Sequence, residues 1–392
     1  MRLPLINGIP GAYLLSLDGG YRYSSYTEGF NTNTYKIGLE WAPIRDVRLR
    51  GGYNRAVRAP NIGELYSPVG PGVGPADPCW SPVPQFTRQE CLLTGVPLKR
   101  YGHVRANPDG TINTLTGGNT GLTPEFADTY TVGVVVQPTI IPNLVVSVDA
   151  FSITIKDTIS SLASNTIISD CALTGNAQLC SLIHRGPDAS LWATDAEFVT
   201  ATNLNIGSVS TKGADLLAHY RFDIGPKSGK LAFALNGTYT KDFLTQPLPG
   251  LPSFDCKGHW GSTCNAPLPS WRHVFTTDWA TPWWGLDLTA RWRYIGSSTV
   301  DRLSADPQLN APYYLATAHI PAYSYLDLSL SAPIGPNFSA RLGVNNVMDK
   351  NPPLILSGNL SDCPNTTCND NTWVGTYDTL GRYIFFRVTA TF

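Results

Sequence analysis

Eight cysteines and six histidines are the residues of this 392-residue chain best suited to chemistry, and their spacing decides which chemistry that is. The cysteines fall into near pairs: Cys79 with Cys91, Cys171 with Cys180, Cys256 with Cys264, and Cys363 with Cys368. An even count in close pairs suits disulfides formed in an oxidising compartment. The rival is a metal site at Cys256-Lys-Gly-His259 with Cys264, but zinc wants a fourth ligand and usually a Cys-x-x-Cys knuckle, so disulfides are the expectation. His103, His184, His219, His259, His273 and His319 stand in neither a Gly-x-Ser-x-Gly elbow nor a His-Glu-x-x-His helix, and no glycine-rich phosphate loop occurs. The rival of an enzyme on a barrel, such as a serine lipase, therefore has no motif behind it, and no catalytic residue, cofactor or metal is expected. What remains is binding chemistry. Trp80, Phe86, Arg88, Trp192, Trp260 and Trp373 share the cysteine-bearing segments and are candidates to stack on or pair with a sugar or an aromatic chelate. Trp41, Trp271, Trp279, Trp283 and Trp284 suit aromatic girdles at a membrane boundary better, and His219 and His273 suit girdle or lumen positions.

The composition limits what can position these side chains. With 28 basic and 29 acidic residues the net charge is −1, so no basic excess points toward nucleic acid. Only 15% of residues are charged, against roughly 25% in an ordinary soluble domain. Gly 36 and Pro 31 punctuate many short elements and argue against long helices. A membrane-spanning helix needs about 20 apolar residues. The best stretch, Thr131 to Phe151, is broken by Pro138, Pro142 and Asn143. Met1-Arg-Leu-Pro4 does not open a secretory signal, so none is expected in this chain.

The dominant pattern has period two. Tyr35, Ile37, Leu39 and Trp41 alternate with Lys36, Gly38 and Glu40; Leu326, Leu328 and Leu330 with Asp327 and Ser329; Ile384, Phe386, Val388, Ala390 and Phe392 with Arg387, Thr389 and Thr391. This reading gives about twelve strands, at 12–24, 33–42, 46–57, 126–137, 143–156, 207–222, 230–241, 270–281, 284–296, 323–333, 337–347 and 381–392. Their links alternate between short turns and the long segments 58–125, 157–206, 242–269, 297–322 and 348–380. An antiparallel transmembrane β-barrel sorts its connections in this way, with short periplasmic turns and long extracellular loops. All four cysteine pairs then lie in extracellular loops. The apolar phase slips near Ala150 and Phe151, as expected for a bulge or for a strand leaving the bilayer.

Three segments carry a resemblance to the barrel of TonB-dependent receptors, the active importers of the Gram-negative outer membrane. They are Leu49 to Tyr66, Leu122 to Asp157, and Leu342-Gly-Val-Asn-Asn-Val-Met-Asp-Lys-Asn-Pro-Pro-Leu354 followed by Gly375 to Arg382. The resemblance implies a barrel of about 22 strands, of which residues 1–392 are the C-terminal portion. The plug domain and the remaining ten or so strands are then absent. It implies a location in the outer membrane lipid, assembly by the barrel-assembly machinery through the terminal Phe392, and coupling to the TonB complex only through the missing plug. The implied function is uptake of a scarce small solute: a siderophore, heme, cobalamin or an oligosaccharide. A self-contained passive channel is the alternative. Arg55 and Arg58 are expected to face the lumen in structural hydrogen bonds, and Asn345 and Asn346 to end a strand and begin a turn.

Overall fold

The computed structural model describes residues 1–391 apart from 28, 81–82, 249–250, 262, 311–316 and 356–371. Cys363, Cys368 and Phe392 lie outside the described residues. One antiparallel sheet forms the body, each strand pairing with the next. Its strands are β1 (Arg2–Ile9), β2 (Ala12–Ser25), β3 (Asn31–Ile44), β4 (Val47–Arg58), β5 (Glu125–Val136), β6 (Leu144–Ser161) and β7 (Asn203–Gly225). They continue as β8 (Gly229–Gln246), β9 (Trp271–Ala280), β10 (Asp287–Ile295), β11 (Tyr323–Ile334), β12 (Phe338–Asn345) and β13 (Tyr383–Ala390). The alternating pattern thus located twelve of these strands and missed β1, where Pro4 and Gly8 blunt the strand signal and the register slips between Pro4 and Ile6. Among the described residues the two end strands, β1 and β13, do not pair with each other.

Register fixes the two faces. Leu39, Gly51, Val132, Ala150, Ala214 and Tyr239 form one rung, and Leu288, Leu330 and Leu342 lie on another rung of the same face. This face stays apolar yet open: Ile37, Leu39, Val132, Leu342 and Phe386 are all exposed. A large exposed apolar face cannot rest in water, and a bilayer satisfies it. The opposite face carries Lys36, Arg50, Asp149, Arg291, Asp327, Arg341 and Arg387. Trp41 and Trp279 anchor the apolar face near the short turns, where their indole N–H groups donate to Gly11 O (3.1 Å) and Ser228 O (2.7 Å). Tyr35, Tyr53 and Tyr130 stack side by side toward the loop end, as do Trp271, His273, Trp292 and Tyr294. These are the two aromatic girdles, and the five tryptophans assigned to them sit at the strand ends or turns as expected.

The structure decides between the two explanations offered for the phase change and corrects the expectation for Arg55. There is no bulge at Ala150 and Phe151: both keep continuous register with Ala214 and Gly213. The phase changes because β6 runs past the apolar band, so Ser152, Thr154 and Lys156 succeed Val146, Val148 and Ala150 on the outward side. The ladder is interrupted further out, at Asp157 (φ 55°) and Gly207 (φ 46°). Gly207 is obligatory there, since a Cβ would meet Gln246 O at 1.6 Å. Arg55 faces outward, in register with Tyr35 and Asp128, with its guanidinium 5.0 Å from the Phe126 ring. Reading it with Arg58 overlooked that positions three apart fall on opposite strand faces.

The long connections are folded. Gly70–Pro75, Thr111–Thr116, Phe198–Thr200 and Ile183–His184 form a four-stranded sheet, flanked by α1 (Ile62–Tyr66), α2 (Arg88–Leu93), α3 (Ser164–Thr174) and α4 (Ala177–Cys180). Asn61 and Thr87 each head a capping box, reciprocated by Glu64 and Glu90. Ile112, Ile167, Ile168, Leu179, Leu191 and Val199 form the buried core beneath. The segments 247–270 and 296–322 contribute a second core, in which Trp260, Val300 and Ile320 meet Tyr325, Trp373 and Tyr377.

Candidate functional site

The side of the sheet opposite the apolar face is a polar wall, held by ion pairs between side chains two or more strands apart as well as between neighbours. Arg50 donates through Nε and Nη2 to the two Asp149 oxygens at 2.6 Å each, and through Nη2 to Ser147 Oγ at 3.1 Å. Lys36 pairs with Asp18 at 3.0 Å, and Arg2 with Glu40. On the far half, Arg291 and Arg293 both reach Asp327 at 2.9 Å, and Arg293 also pairs with Asp378 at 2.5 Å. Asp327 further accepts the Asn346 backbone N–H at 2.9 Å, which ties the strand wall to the turn after β12. Asn346 is buried, holds φ at 50°, and exchanges two hydrogen bonds with the Lys350 backbone, so it ends a strand as expected.

At the loop end the wall is stitched to the folded loops. Arg58 lies on the inner face and donates to Glu125 (2.5 Å) and Glu64 (2.9 Å), the structural role expected of it. Burial pushes the Glu64 carboxyl up, but Arg58 and the Asn61 backbone N–H outweigh it and hold the group below the ordinary carboxylate value. Arg185 and Asp77 form a fully buried pair between the loops after β4 and after β6, with side chains 3% exposed on each side. Ser67, Pro68, Val69, Asn119 and Thr202 line an open cleft beside these joints, with Tyr66 and Leu204 at its rim.

The structure disperses the proposed ligand contacts. Trp80 and Phe86 pack partly against a small core around the Cys79–Cys91 disulfide. Arg88 is exposed at the start of α2 and donates to Leu98 O at 3.2 Å. Trp192 donates to Arg105 O at 3.0 Å and lies under that residue's guanidinium, 4.9 Å away. Trp260 and Trp373 are 0% and 3% exposed and pack against each other's core neighbours, which gives them packing roles. The sequence could not separate a buried loop tryptophan from an exposed one, because period-two alternation marks burial in strands and has no counterpart in these connections. The disulfides Cys79–Cys91, Cys171–Cys180 and Cys256–Cys264 are present as paired from spacing. The last removes both thiolates from the metal-site reading, and His259 Nδ1 lies 3.3 Å from Thr299 O. No cluster of three metal-ligating side chains occurs among the described residues. Sequence reasoning missed Asp327, the hub of the far wall; its place in the alternation Leu326, Leu328, Leu330 marked it as inward, but nothing marked its partners.

An exposed apolar band between two aromatic girdles, an ion-paired inner wall, and connections sorted by length define an outer-membrane-type antiparallel β-barrel wall. The chain belongs to the TonB dependent receptor-like β-barrel family, whose model matches residues 12–347. Among solved structures it is similar to the ferric enterobactin receptor of Pseudomonas aeruginosa bound to enterobactin, at 16% identity and a TM-score of 0.60, covering 98% of this chain and 44% of that one. It is also similar to the siderophore receptor PirA of Acinetobacter baumannii, at 15% identity and a TM-score of 0.57, covering 97% and 43%. The FrpB iron transporter of Neisseria meningitidis gives 15% identity and a TM-score of 0.52, covering 96% and 43%. The chain thus spans less than half the length of these solved relatives. No curated protein sequence matches it.

Proposed function

We propose that the chain is the C-terminal wall and loop layer of an outer-membrane receptor that imports a scarce solute, captured first by the outer loops. The observation that carries this reading is the sorting of the connections: turns such as Arg45-Asp46 and Gly335 to Asn337 occupy one rim, while the other bears disulfide-linked loops folded around their own cores. On this reading, energy coupling comes through a plug domain and the TonB complex. Of the four solute classes, a ferric siderophore is the reading favoured by the neighbours, two of which are named as siderophore or ferric enterobactin receptors.

The test is growth of a strain lacking the encoding gene under iron limitation, with a panel of ferric siderophores, heme, cobalamin and oligosaccharides offered singly. Loss of growth on one ferric chelate, restored by the gene, supports the reading. Unimpaired growth on all of them, with unchanged uptake of labelled solutes, refutes it.

A further inference from the structure

Arg341 and Arg387 oppose each other directly across the β12–β13 ladder. Both lie on the inner face, because their neighbours Leu342 and Phe386 belong to the apolar side. Like charges placed opposite each other in a ladder repel. Among the described residues neither guanidinium has an acidic partner, whereas Arg291 and Arg293 in the same region are matched by Asp327 and Asp378. Arg341 is nonetheless held in place: its Nε and Nη2 donate to Ser329 Oγ at 3.2 and 2.8 Å. The two arginines, Phe385, Asn345 and Thr276 line one cleft of about 460 Å³. Phe385 packs over Gly343, where a Cβ would meet its ring at 2.2 Å, so the glycine makes room for an aromatic wall. The acids in the cleft are engaged elsewhere, Asp327 by two arginines and a backbone N–H, Asp278 by the Thr289 hydroxyl at 2.6 Å.

We propose that this cleft binds an oxyanion, a carboxylate or a phosphate, between Arg341 and Arg387. Opposed Cα atoms in an antiparallel ladder lie about 4.5–5.5 Å apart, so two guanidinium forks can reach one anion. The anion relieves the repulsion the register imposes, and Phe385 supplies a flat flank for whatever carries it. The site rests on strand register and stands apart from the uptake reading. Its anion has two conceivable sources: an acidic side chain of a protein segment seated against the inner wall, or a small anionic solute.

The experiment titrates the whole chain, refolded in detergent micelles, with inorganic phosphate at ionic strength held constant with chloride, and follows the phosphorus resonance width together with the unfolding midpoint. Saturable binding is expected, weakened about tenfold or more in Arg341→Gln and in Arg387→Gln. Arg387→Lys, which keeps the charge and loses the fork, should fall between. Competition with N-acetylglutamate amide separates the sources. Displacement of phosphate at equal or lower concentration points to a protein carboxylate, and displacement only at large excess points to a small phosphorylated solute. No saturable binding, or binding unchanged in both glutamine variants, overturns the proposal. Should either variant fail to refold, Ser329→Ala, which frees Arg341 without altering charge, provides the same test through a several-fold loss.

Discussion

Replacing Arg185 by methionine should open the loop layer and leave the barrel wall intact. Arg185 donates to Asp77 at 2.5 and 3.1 Å, to Thr94 O at 2.8 Å, to Thr94 Oγ1 at 3.1 Å and to Ala189 O at 2.9 Å. It thereby joins the segment after β4 to the segment after β6. Removing it strands the Asp77 carboxylate in a site 3% exposed, with the Cys79 N–H at 3.0 Å as its remaining donor. An uncompensated buried charge of this kind costs about 3–5 kcal/mol. That raises the population of molecules with an open loop layer by roughly two to three and a half powers of ten. Amide hydrogen exchange read by mass spectrometry is the assay. The amides of Asn113, Gly186 and Thr200, bonded within the loop layer to Leu191 O, Ser190 O and Leu182 O, report opening. Those of β9 and β10 serve as the internal control. The double variant Asp77→Leu with Arg185→Met should recover most of the protection, because removing both charges leaves neither unpaired. Protection in Arg185→Met equal to the parent would refute the reasoning, and so would a double variant as open as the single one. Equal loss in β9 and β10 would show that loops and wall unfold as one unit.

Reducing the disulfides should selectively expose the loops to protease: the Cys171–Cys180 closure, separated by 9 residues, is worth about 2.7 kcal/mol on the chain-entropy account, and heat-modifiable mobility of the barrel on gels should persist. Trp260→Ala should cost about 3–5 kcal/mol of loop-layer stability, whereas Trp260→Phe should leave solute binding near the parent level; loss of binding in a well-folded phenylalanine variant would restore the contact reading. Leu342→Arg, on the apolar face, should cut the yield of folding into lipid vesicles by about 2–4 kcal/mol equivalent if that rung lies near the midplane, and the apolar replacement Leu342→Val should not. The Thr87 hydroxyl and backbone N–H hold the Glu90 carboxyl below its ordinary value. The stabilisation of α2 is therefore fully present above that ordinary value and is lost as the pH falls through the lower, folded one. The protection factors of the α2 amides, which remove the intrinsic pH dependence of exchange, should fall in that acid window and stay constant with pH in Glu90→Gln.

The wall was legible because a strand in a bilayer has no freedom to hide its pattern: lipid demands Leu326, Leu328 and Leu330 on one side, and the lumen accepts Asp327 and Ser329 on the other. Where that demand ends, legibility ends too. β6 and β7 extend to Ser161 and Asn203, beyond the predicted limits at 156 and 207, because outside the apolar band the ladder continues between residues such as Ser160 and Leu204 that show no alternation. β1 was lost for a related reason, since eight residues containing Pro4 and Gly8 carry too little contrast. The candidate contacts met a different limit. Trp260 and Trp373 stand out by residue type within loops, but their burial depends on Val300 and Ile320 of another connection and on Tyr325 of β11, which spacing alone could not bring together. Arg341 shows the same limit from the other side: its inward facing is plain in the alternation Ala340, Arg341, Leu342, but its opposition to Arg387 requires the register.

The joints between wall and loops bear on how such a rim can work. Glu125 opens β5 on the inner face at the loop end, where it accepts Arg58 on one oxygen and the Ile159 N–H on the other at 2.9 Å. Asn119 reaches Asn203 O at 2.9 Å, and Asn205 both accepts from Thr123 N and donates to Thr123 O. The loop after β4 is thus bonded across its base to β6 and β7, so its folded sheet cannot swing away without breaking several backbone partners at once. A rim assembled in this way presents a surface ordered before any solute arrives. On the uptake reading, this reduces the ordering entropy that binding must overcome. It also confines adaptation to groups outside the cores: Arg88 on α2 is exposed and can turn at the expense of its bond to Leu98 O, whereas Trp260 is buried in the packing.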